Sequence, residues 1–145
     1  MDNEMTLSFL AKSENESLAR LAITSFIAQL DPTIDELAEC KTIVSEAVSN
    51  AIIHGYDGVD GIITIHAVLD GDVLSVSIKD EGRGIPDIES AREPLFTTKG
   101  HEERSGMGFT IMESFSDELH IESDVGHGTI ITFTKKFSPV QAIAM

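Results

Sequence analysis

The chain has 145 residues, of which 41% are apolar and one is a cysteine, so it is long enough for one domain with its own core and cannot form an internal disulfide. Its 10 Lys and Arg against 25 Asp and Glu give a formal net charge of −15, which repels nucleic acid. No apolar run approaches the roughly 20 residues of a membrane span, and the N-terminus lacks the pattern of a signal peptide. We therefore expect a cytoplasmic protein that binds neither nucleic acid nor membrane directly, with one domain over residues 1–137 and a frayed tail over 138–145.

The first part of the chain predicts a strand followed by a helix. Apolar residues alternate over 5–9, which is typical of a strand with one buried face. Ser13 and Glu16 have the spacing of a capping box at the start of a helix, which ends before Pro32. Arg20 lies off the apolar side of this helix, so we expect it to be exposed.

A second predicted helix begins at another capping box, Thr33 to Glu36, and carries two polar side chains on one face. Glu46 and Asn50 are four residues apart, so they stack on the side away from an apolar stripe. A carboxylate beside an amide suits a hydrated cation or the activation of a hydroxyl, although an ordinary solvated face has the same pattern. Gly55 is placed to end the helix in the left-handed conformation. The apolar stripe comprises Leu37, Cys40, Val44, Ala47, Val48, Ala51 and Ile52.

Two hairpins are predicted further along the chain. Alternating apolar residues flank the turn dipeptide Asp70-Gly71, which is a strong hairpin signal. A second pair of strands flanks residues 124–129 and ends near Lys136. Together these patterns predict antiparallel pairing.

Two glycine-rich segments are candidate ligand contacts. Asp80 leads from a predicted strand into a turn that contains Gly82 and Gly84, where glycines allow backbone to approach a ligand closely. Residues 106–108 precede a helical run, and glycines there leave the free N–H groups of the helix start accessible to an anion. A simple turn and a glycine hinge are the structural alternatives. In the first segment we expect Arg83 to be a solvated charge.

Taken in order, these segments resemble the boxes of the GHKL ATP-binding superfamily, which includes histidine kinases, gyrase-type ATPases and molecular chaperones. The match is closer to a group of small single-domain serine-protein kinases, the anti-sigma F factors of sporulating bacilli. This resemblance implies an α+β fold: a two-layer α/β sandwich with helices on one face of a mixed, mostly antiparallel sheet. The boxes span residues 33–134, and the segments that carry the closer match include SEAV at 45–48, NAIIHGY at 50–56, PLFTTK at 94–99 and ERSGMGF at 103–109.

The resemblance implies ATP as the ligand and assigns its contacts to particular residues. Asp80 would accept a hydrogen bond from the adenine amino group, which selects adenine over guanine, and Thr129 would lie near the same base edge. N–H groups near residues 106–109 would meet phosphate. The other implied ATP contacts are Asn50, Gly82, Gly84, Thr97, Thr98, Lys99, Ser105, Gly106, Met107, Gly108 and Phe109.

Catalytic groups and partners are implied in the same way. Glu46 would take the proton of a substrate serine, Asn50 would hold Mg²⁺, and Arg104 would neutralise charge on the transferred phosphoryl group. The implied partners are a sigma factor (sigma F), which the protein would inhibit, and an anti-sigma-factor antagonist, which it would phosphorylate on serine. A homodimer is also implied, with Arg20 at a position that contacts both partners.

Other functions remain open at this stage. An anti-sigma B-type switch kinase has the same boxes, and a non-catalytic module that binds partners in response to ATP needs only part of them. A histidine kinase catalytic domain is disfavoured because the sequence shows no preceding helical segment with an acceptor histidine. A gyrase-type ATPase is disfavoured because no transducer segment follows.

Overall fold

A computed structural model of the protein describes residues 2–93 and 108–138. Within these residues the chain forms one five-stranded sheet and four α-helices. The strands are β1 (Asn3–Leu10), β2 (Ile62–Asp70), β3 (Val73–Asp80), β4 (Glu118–Asp124) and β5 (Gly128–Lys136). The helices are α1 (Asn15–Ile27), α2 (Ile34–Asn50), α3 (Ile88–Ala91) and α4 (Gly108–Phe115).

The sheet has the strand order β1-β2-β3-β5-β4, and all four of its pairings within the described residues are antiparallel. Side chains on one face of the central strands are buried, in the alternation that a half-buried strand requires. The helices supply the other layer, with α2 packed between α1 and α4. The predicted α+β sandwich is confirmed.

The start of α2 follows the prediction closely. Thr33 Oγ1 accepts a hydrogen bond from the Glu36 N–H at 3.1 Å, and Glu36 Oε1 accepts one from the Thr33 N–H at 2.9 Å. Both halves of the capping box are therefore present. Cys40 is fully buried on the apolar side of α2, where burial raises the pKa of its thiol to about 12, as expected for a core residue and not a nucleophile.

The capping box predicted for α1 is wrong. The Ser13 hydroxyl donates to the Glu14 carboxylate at 3.1 Å and makes no bond to the helix N–H groups. Glu16, the other predicted member, accepts a hydrogen bond at 2.6 Å from the Ser45 hydroxyl on α2. Ser13 and Glu16 have the spacing of a capping box, but Ser13 bonds to Glu14 and Glu16 bonds to Ser45 on α2.

The predicted end of α2 at Gly55 is also wrong. The helix continues after Asn50 as a π-helix over Ala51–Tyr56, and the left-handed residue is Asp57 with φ 50°. Gly55 is instead needed for close packing, because a Cβ built there would lie 3.0 Å from both Cγ and Oδ1 of Asp80. The glycine therefore allows the helix end to touch the end of β3.

The first hairpin is shifted by one residue from the prediction. Asp70 pairs with Val73, so the two-residue loop is Gly71-Asp72, with Gly71 at φ +64°. The Gly71 N–H donates to the Asp2 carboxylate at 2.6 Å, which fixes the loop against the N-terminal segment. The second hairpin forms where predicted, and β5 ends at Lys136.

An ion pair between a buried lysine and a partly exposed glutamate joins both layers. Lys135 on β5 is only 8% exposed, and its Nζ donates to Glu39 Oε1 on α2 and to the Phe115 carbonyl at the end of α4, each at 2.8 Å. This contact fixes the end of α4 against α2. Among the helices of the described segments, none is both long and apolar enough to cross a membrane.

Candidate functional site

The end of β3 carries a buried acid. Asp80 is 4% exposed, and its Oδ1 accepts a hydrogen bond from the Gly82 N–H at 2.9 Å. Burial raises the pKa of the Asp80 carboxyl, while the N–H groups of Gly82 and Thr129 oppose that rise. A buried carboxylate at a strand end is suited to read a hydrogen-bond donor on a ligand.

Thr129 lies directly opposite Asp80 in the β3–β5 register and is 3% exposed. Its hydroxyl is 2.8 Å from the Ser123 hydroxyl on β4. We call Asp80, Gly82, Ser123 and Thr129 the strand-end cluster. It brings together the acid and the threonine that the sequence assigned to the same ligand edge.

The glycine turn after β3 is locked between two other segments. A Cβ on Gly82 would collide with the Gly55 carbonyl, so only glycine allows this turn to meet the end of the π-helix. Gly84 has φ +79°, and a Cβ there would lie 2.5 Å from the Asp124 carbonyl oxygen. The two glycines singled out from the sequence are thus required by close approach and by backbone conformation.

Arg83 is exposed, as predicted for a solvated charge, but it also makes contacts that the sequence did not predict. Its Nε donates to the His54 carbonyl at 2.6 Å, and its backbone N–H donates to the Gly55 carbonyl at 2.9 Å. Its own carbonyl accepts a hydrogen bond from the Gly126 N–H at 2.8 Å. Arg83 therefore ties the turn to the end of the π-helix on one side and to the β4–β5 hairpin on the other.

The polar face of α2 lies beside the start of α4. Glu46 is half-buried, and a Cβ built on Gly108 would lie 3.2 Å from its Oε2. The partial positive charge of a helix N-terminus favours a carboxylate at this position. Asn50 lies one turn further along α2 and is also half-buried. We call Glu46 and Asn50 the helix-face pair.

One continuous helical segment links the helix-face pair to the strand-end cluster. Glu46 lies near Gly108, and nine residues later Gly55 contacts Asp80. The segment consists of the last residues of α2 followed by the π-helix. The helix-face pair and the strand-end cluster therefore lie at the two ends of one helical segment.

Part of the predicted site lies outside the described residues. Thr97, Thr98, Lys99, Arg104, Ser105, Gly106 and Met107 belong to this group. Gly108 and Phe109, at the start of α4, are described, and Phe109 is 8% exposed and packs into the core.

A magnesium ion would have few protein ligands here. Within residues 2–93 and 108–138 no cluster of three or more His, Cys, Asp or Glu side chains is placed to hold a metal. The amide oxygen of Asn50 and the nearby Glu46 carboxylate do match the oxygen ligands that Mg²⁺ prefers, and this ion usually keeps several waters and phosphate oxygens. The residues present therefore fit an ion that arrives with a phosphate ligand.

Arg20 is less exposed than predicted. Its side chain is 35% exposed, and its guanidinium donates to the hydroxyls of Ser45 at 3.2 Å and Ser17 at 3.1 Å. It also lies 3.4 Å from the Glu16 carboxylate. Arg20 is therefore held against α2 through Ser45 and is not free on the surface.

Comparison with known proteins identifies the family. The model of the histidine kinase-like ATPase domain matches residues 9–135. An anti-sigma F factor from Lysinibacillus sphaericus is 65% identical over 147 residues, with all of both chains covered. The chain belongs to the anti-sigma F factor family. Another member, from Geobacillus kaustophilus, is 56% identical over 144 residues, which cover 99% of each chain.

Solved structures of more distant proteins share the fold. A Mycobacterium tuberculosis structure of RsbU and RsbW domains has a TM-score of 0.69 at 20% identity, covering 98% of this chain and 35% of that one. The catalytic domain of the histidine kinase ThkA has a TM-score of 0.57 at 18% identity, covering 93% of this chain and 99% of that one. At these identities the likeness concerns the fold alone.

Three features of the site were not found from the sequence. Ser123 has no local pattern that distinguishes it from other strand serines, and its role depends on two segments that are distant in the chain. The contacts of Arg83 with the helix end are equally non-local. The π-helix has no recognised sequence signal, although the glycine at its end was noticed for another reason.

Proposed function

We propose that this protein is an ATP-dependent serine-protein kinase that also acts as an anti-sigma factor. The observation that carries the proposal is the position of Glu46: its carboxylate lies at the start of α4, on the helical segment whose far end contacts Asp80. A candidate site for the nucleotide base and a candidate proton acceptor thus lie along one segment. Phosphoryl transfer requires the nucleotide and the reacting groups to be held in a fixed relative position.

The strand-end cluster would hold adenine. The Asp80 carboxylate would accept a hydrogen bond from the amino group of the base, and Thr129 would contact the same edge. Gly82 and Gly84 would bring the turn backbone against the nucleotide. The start of α4, at Gly108 and Phe109, would direct backbone N–H groups towards phosphate.

The helix-face pair would carry the transfer step. Glu46 would accept the proton of the substrate serine. The serine oxygen would then bond to the γ-phosphorus while the bond between that phosphorus and the β-phosphate oxygen breaks, which releases ADP. Asn50 would hold Mg²⁺, which supplies charge neutralisation along the phosphates. Arg104 is assigned to the transferred phosphoryl group on the sequence resemblance alone.

Partners follow from the family and from charge. The name of the anti-sigma F relatives suggests a sigma factor of the sigma F type. The antagonist protein that carries the acceptor serine is assigned on the sequence resemblance alone. A net charge of −15 favours basic surfaces on such partners. Arg20, which is hydrogen-bonded to Ser45 on α2, is the residue we assign to partner contact. A homodimer is part of the same proposal, and β1 offers an edge strand for it.

The decisive experiment is a transfer assay with radiolabelled ATP and a candidate antagonist, followed by analysis of the labelled amino acid. Phosphoserine on the antagonist is the expected result. ATP binding without transfer would leave a nucleotide-dependent binding module, and acid-labile phosphohistidine would favour a histidine kinase. Binding of sigma F, measured separately by co-purification, tests the anti-sigma activity; preference for a sigma B-type factor would support the related switch kinases.

A further inference from the structure

Lys135 connects the C-terminal end of α4 to α2. Its Nζ donates to the Phe115 carbonyl and to Glu39 Oε1, each at 2.8 Å, and its side chain is buried. The last carbonyls of a helix have no partner within that helix. A lysine at this position satisfies such a carbonyl and lies at the negative end of the helix dipole.

The two ends of α4 meet the same face of α2. Glu39 and Glu46 are seven residues apart on α2, close to two full turns, so their side chains point to the same side. Gly108 and Phe115 are also seven residues apart on α4. Glu46 lies beside Gly108 at one end, and Lys135 joins Glu39 to Phe115 at the other. The two helices are therefore antiparallel and matched over about 10 Å.

Of the contacts that hold α4, the bonds of Lys135 are the ones that resist sliding along α2. Phe109 and Met112 anchor α4 in the core, but apolar packing has no preferred direction. Lys135 instead stands on β5, which is paired with β3 on one side and with β4 on the other. A slide of α4 would have to break a charge-assisted hydrogen bond from a buried ammonium group, and such bonds are short and strong.

We propose that Lys135 is a positioning residue for the transfer step, because it sets the distance between the start of α4 and the Glu46 carboxylate. The inference rests on the proposed function and adds a residue outside the proposed nucleotide site. In that function the first N–H groups of α4 meet phosphate and Glu46 accepts the proton of the substrate serine. A displacement of about 1 Å between such groups can reduce the rate about 100-fold.

The first test is Lys135→Met, which keeps an apolar stem of similar length and removes the ammonium group. In the transfer assay we expect kcat to fall about tenfold, because the start of α4 is no longer held at a fixed distance from Glu46. The KM for ATP should stay close to the wild-type value, because the strand-end cluster is unchanged. Amide hydrogen exchange, which needs no activity, should become faster in α4 and stay the same in α1.

A double variant separates positioning from stability. Lys135→Met alone leaves the Glu39 carboxylate without its cation, which is destabilising in itself. Combining it with Glu39→Met replaces both charges by apolar side chains, a change that often restores stability. The Phe115 carbonyl still lacks its donor, so we expect the melting temperature to recover while kcat stays low. If Lys135→Met does not fold, the double variant carries the test.

Ile65→Ala is the control for a loss of stability far from α4. Ile65 is 1% exposed on β2, which is separated from β5 by β3. This change should lower the melting temperature and leave kcat as in wild type. An equal fall of kcat in Ile65→Ala would assign the loss to general destabilisation and overturn the role of Lys135.

The remaining outcomes distinguish the two levels of the proposal. Recovery of kcat together with stability in the double variant contradicts the positioning role, as does a raised KM with kcat unchanged in Lys135→Met. Unchanged hydrogen exchange in α4 of Lys135→Met would overturn the attachment itself. A wild-type protein that transfers no phosphate to the antagonist would instead overturn the proposed function.

Discussion

The strand-end cluster and the helix-face pair differ in how they are held. Asp80 and Thr129 are almost fully buried and hydrogen-bonded to backbone, to each other's strands and to Ser123. Glu46 and Asn50 are half-buried side chains on the exposed side of a helix, and their geometry depends on where α4 begins. Under the proposed function, base recognition would belong to residues of the sheet, whereas transfer chemistry would belong to residues of α2 beside the start of α4.

This difference separates binding from catalysis. A buried, hydrogen-bonded cluster is preorganised, so it binds without loss of side-chain entropy. A half-buried carboxylate retains access to a substrate hydroxyl, which a proton acceptor needs. Changes in the strand-end cluster should therefore alter nucleotide affinity and stability, and changes in the helix-face pair should alter rate.

The largest expected effect is on transfer in Glu46→Gln. Loss of the proton acceptor should slow phosphorylation of the antagonist by at least about 100-fold, the usual contribution of a general base. The dissociation constant for ATP should stay the same, as measured by calorimetry. Glu118→Gln, an exposed glutamate on β4, is the control for a simple loss of charge. Equal losses of binding and rate would remove the distinction between the two regions.

Gly82→Ala should damage the strand-end cluster most. The added Cβ collides with the Gly55 carbonyl, so we expect the free energy of unfolding to fall by about 2–3 kcal/mol, as in overpacked cores. Urea denaturation, with and without ATP, measures it. Gly58→Ala is the control: Gly58 has φ +83° but open space around it, so about 1 kcal/mol of backbone strain is expected. Similar losses in both variants would mean that the close approach to Gly55 carries no energy.

Asp80→Asn should weaken ATP binding about tenfold, because an amide offers one acceptor in place of two. Burial raises the pKa of Asp80 above its ordinary 3.8, so wild-type affinity should fall as pH decreases through that raised value. The contribution of Asp80 to the free energy of unfolding changes over the same pH range. The cost of burying its charge is absent below pH 3.8 and fully present above the raised pKa. Affinity in the Asn variant should not show this acid step. An identical acid dependence in both proteins would assign the titration to another group.

The smallest effect is expected far from both regions, at Glu36. Its carboxylate accepts hydrogen bonds from the N–H groups of Thr33 at 2.9 Å and Ser138 at 2.7 Å; although burial opposes them, these lower its pKa from 4.5. Glu36→Ala should cost about 1 kcal/mol at neutral pH. Because the pKa is lowered, this stability is present above 4.5 and lost as pH falls through the folded value. Thermal melts of Glu36→Ala are compared with those of Asp35→Ala, which changes an exposed neighbour. If Glu36→Ala remained less stable than Asp35→Ala in acid, the ionised carboxylate would not be the source of the stability.

Local patterns were sufficient for most of the fold. Alternation predicted the strands, and the Thr33–Glu36 capping box predicted the start of α2, because these signals involve neighbouring residues. The same capping signal failed at Ser13, where Glu14 and Ser45 compete for the two side chains. A local rule cannot weigh a partner that lies about thirty residues away.

In the site, too, local patterns do not show contacts between residues that are far apart in the chain. Asp80, Gly82 and Thr129 were assigned to one site by the family resemblance, and the structure brings them together. Arg83 and Ser123 were missed because their function is to join segments that meet only after folding. Gly55 was identified for the wrong reason: space beside Asp80, and not a left-handed turn, requires it.

The π-helix over Ala51–Tyr56 makes the spacing along this segment sensitive to phase. Each residue turns an α-helix by about 100°, so deleting a single residue between Asn50 and Gly55 would rotate the glycine away from Asp80 while leaving Glu46 in place. The helix-face pair and the strand-end cluster would then no longer face the same proposed nucleotide site. The number of residues between Asn50 and Gly55 determines which way Gly55 faces relative to Glu46. Substitutions within this segment should therefore be tolerated far better than insertions or deletions.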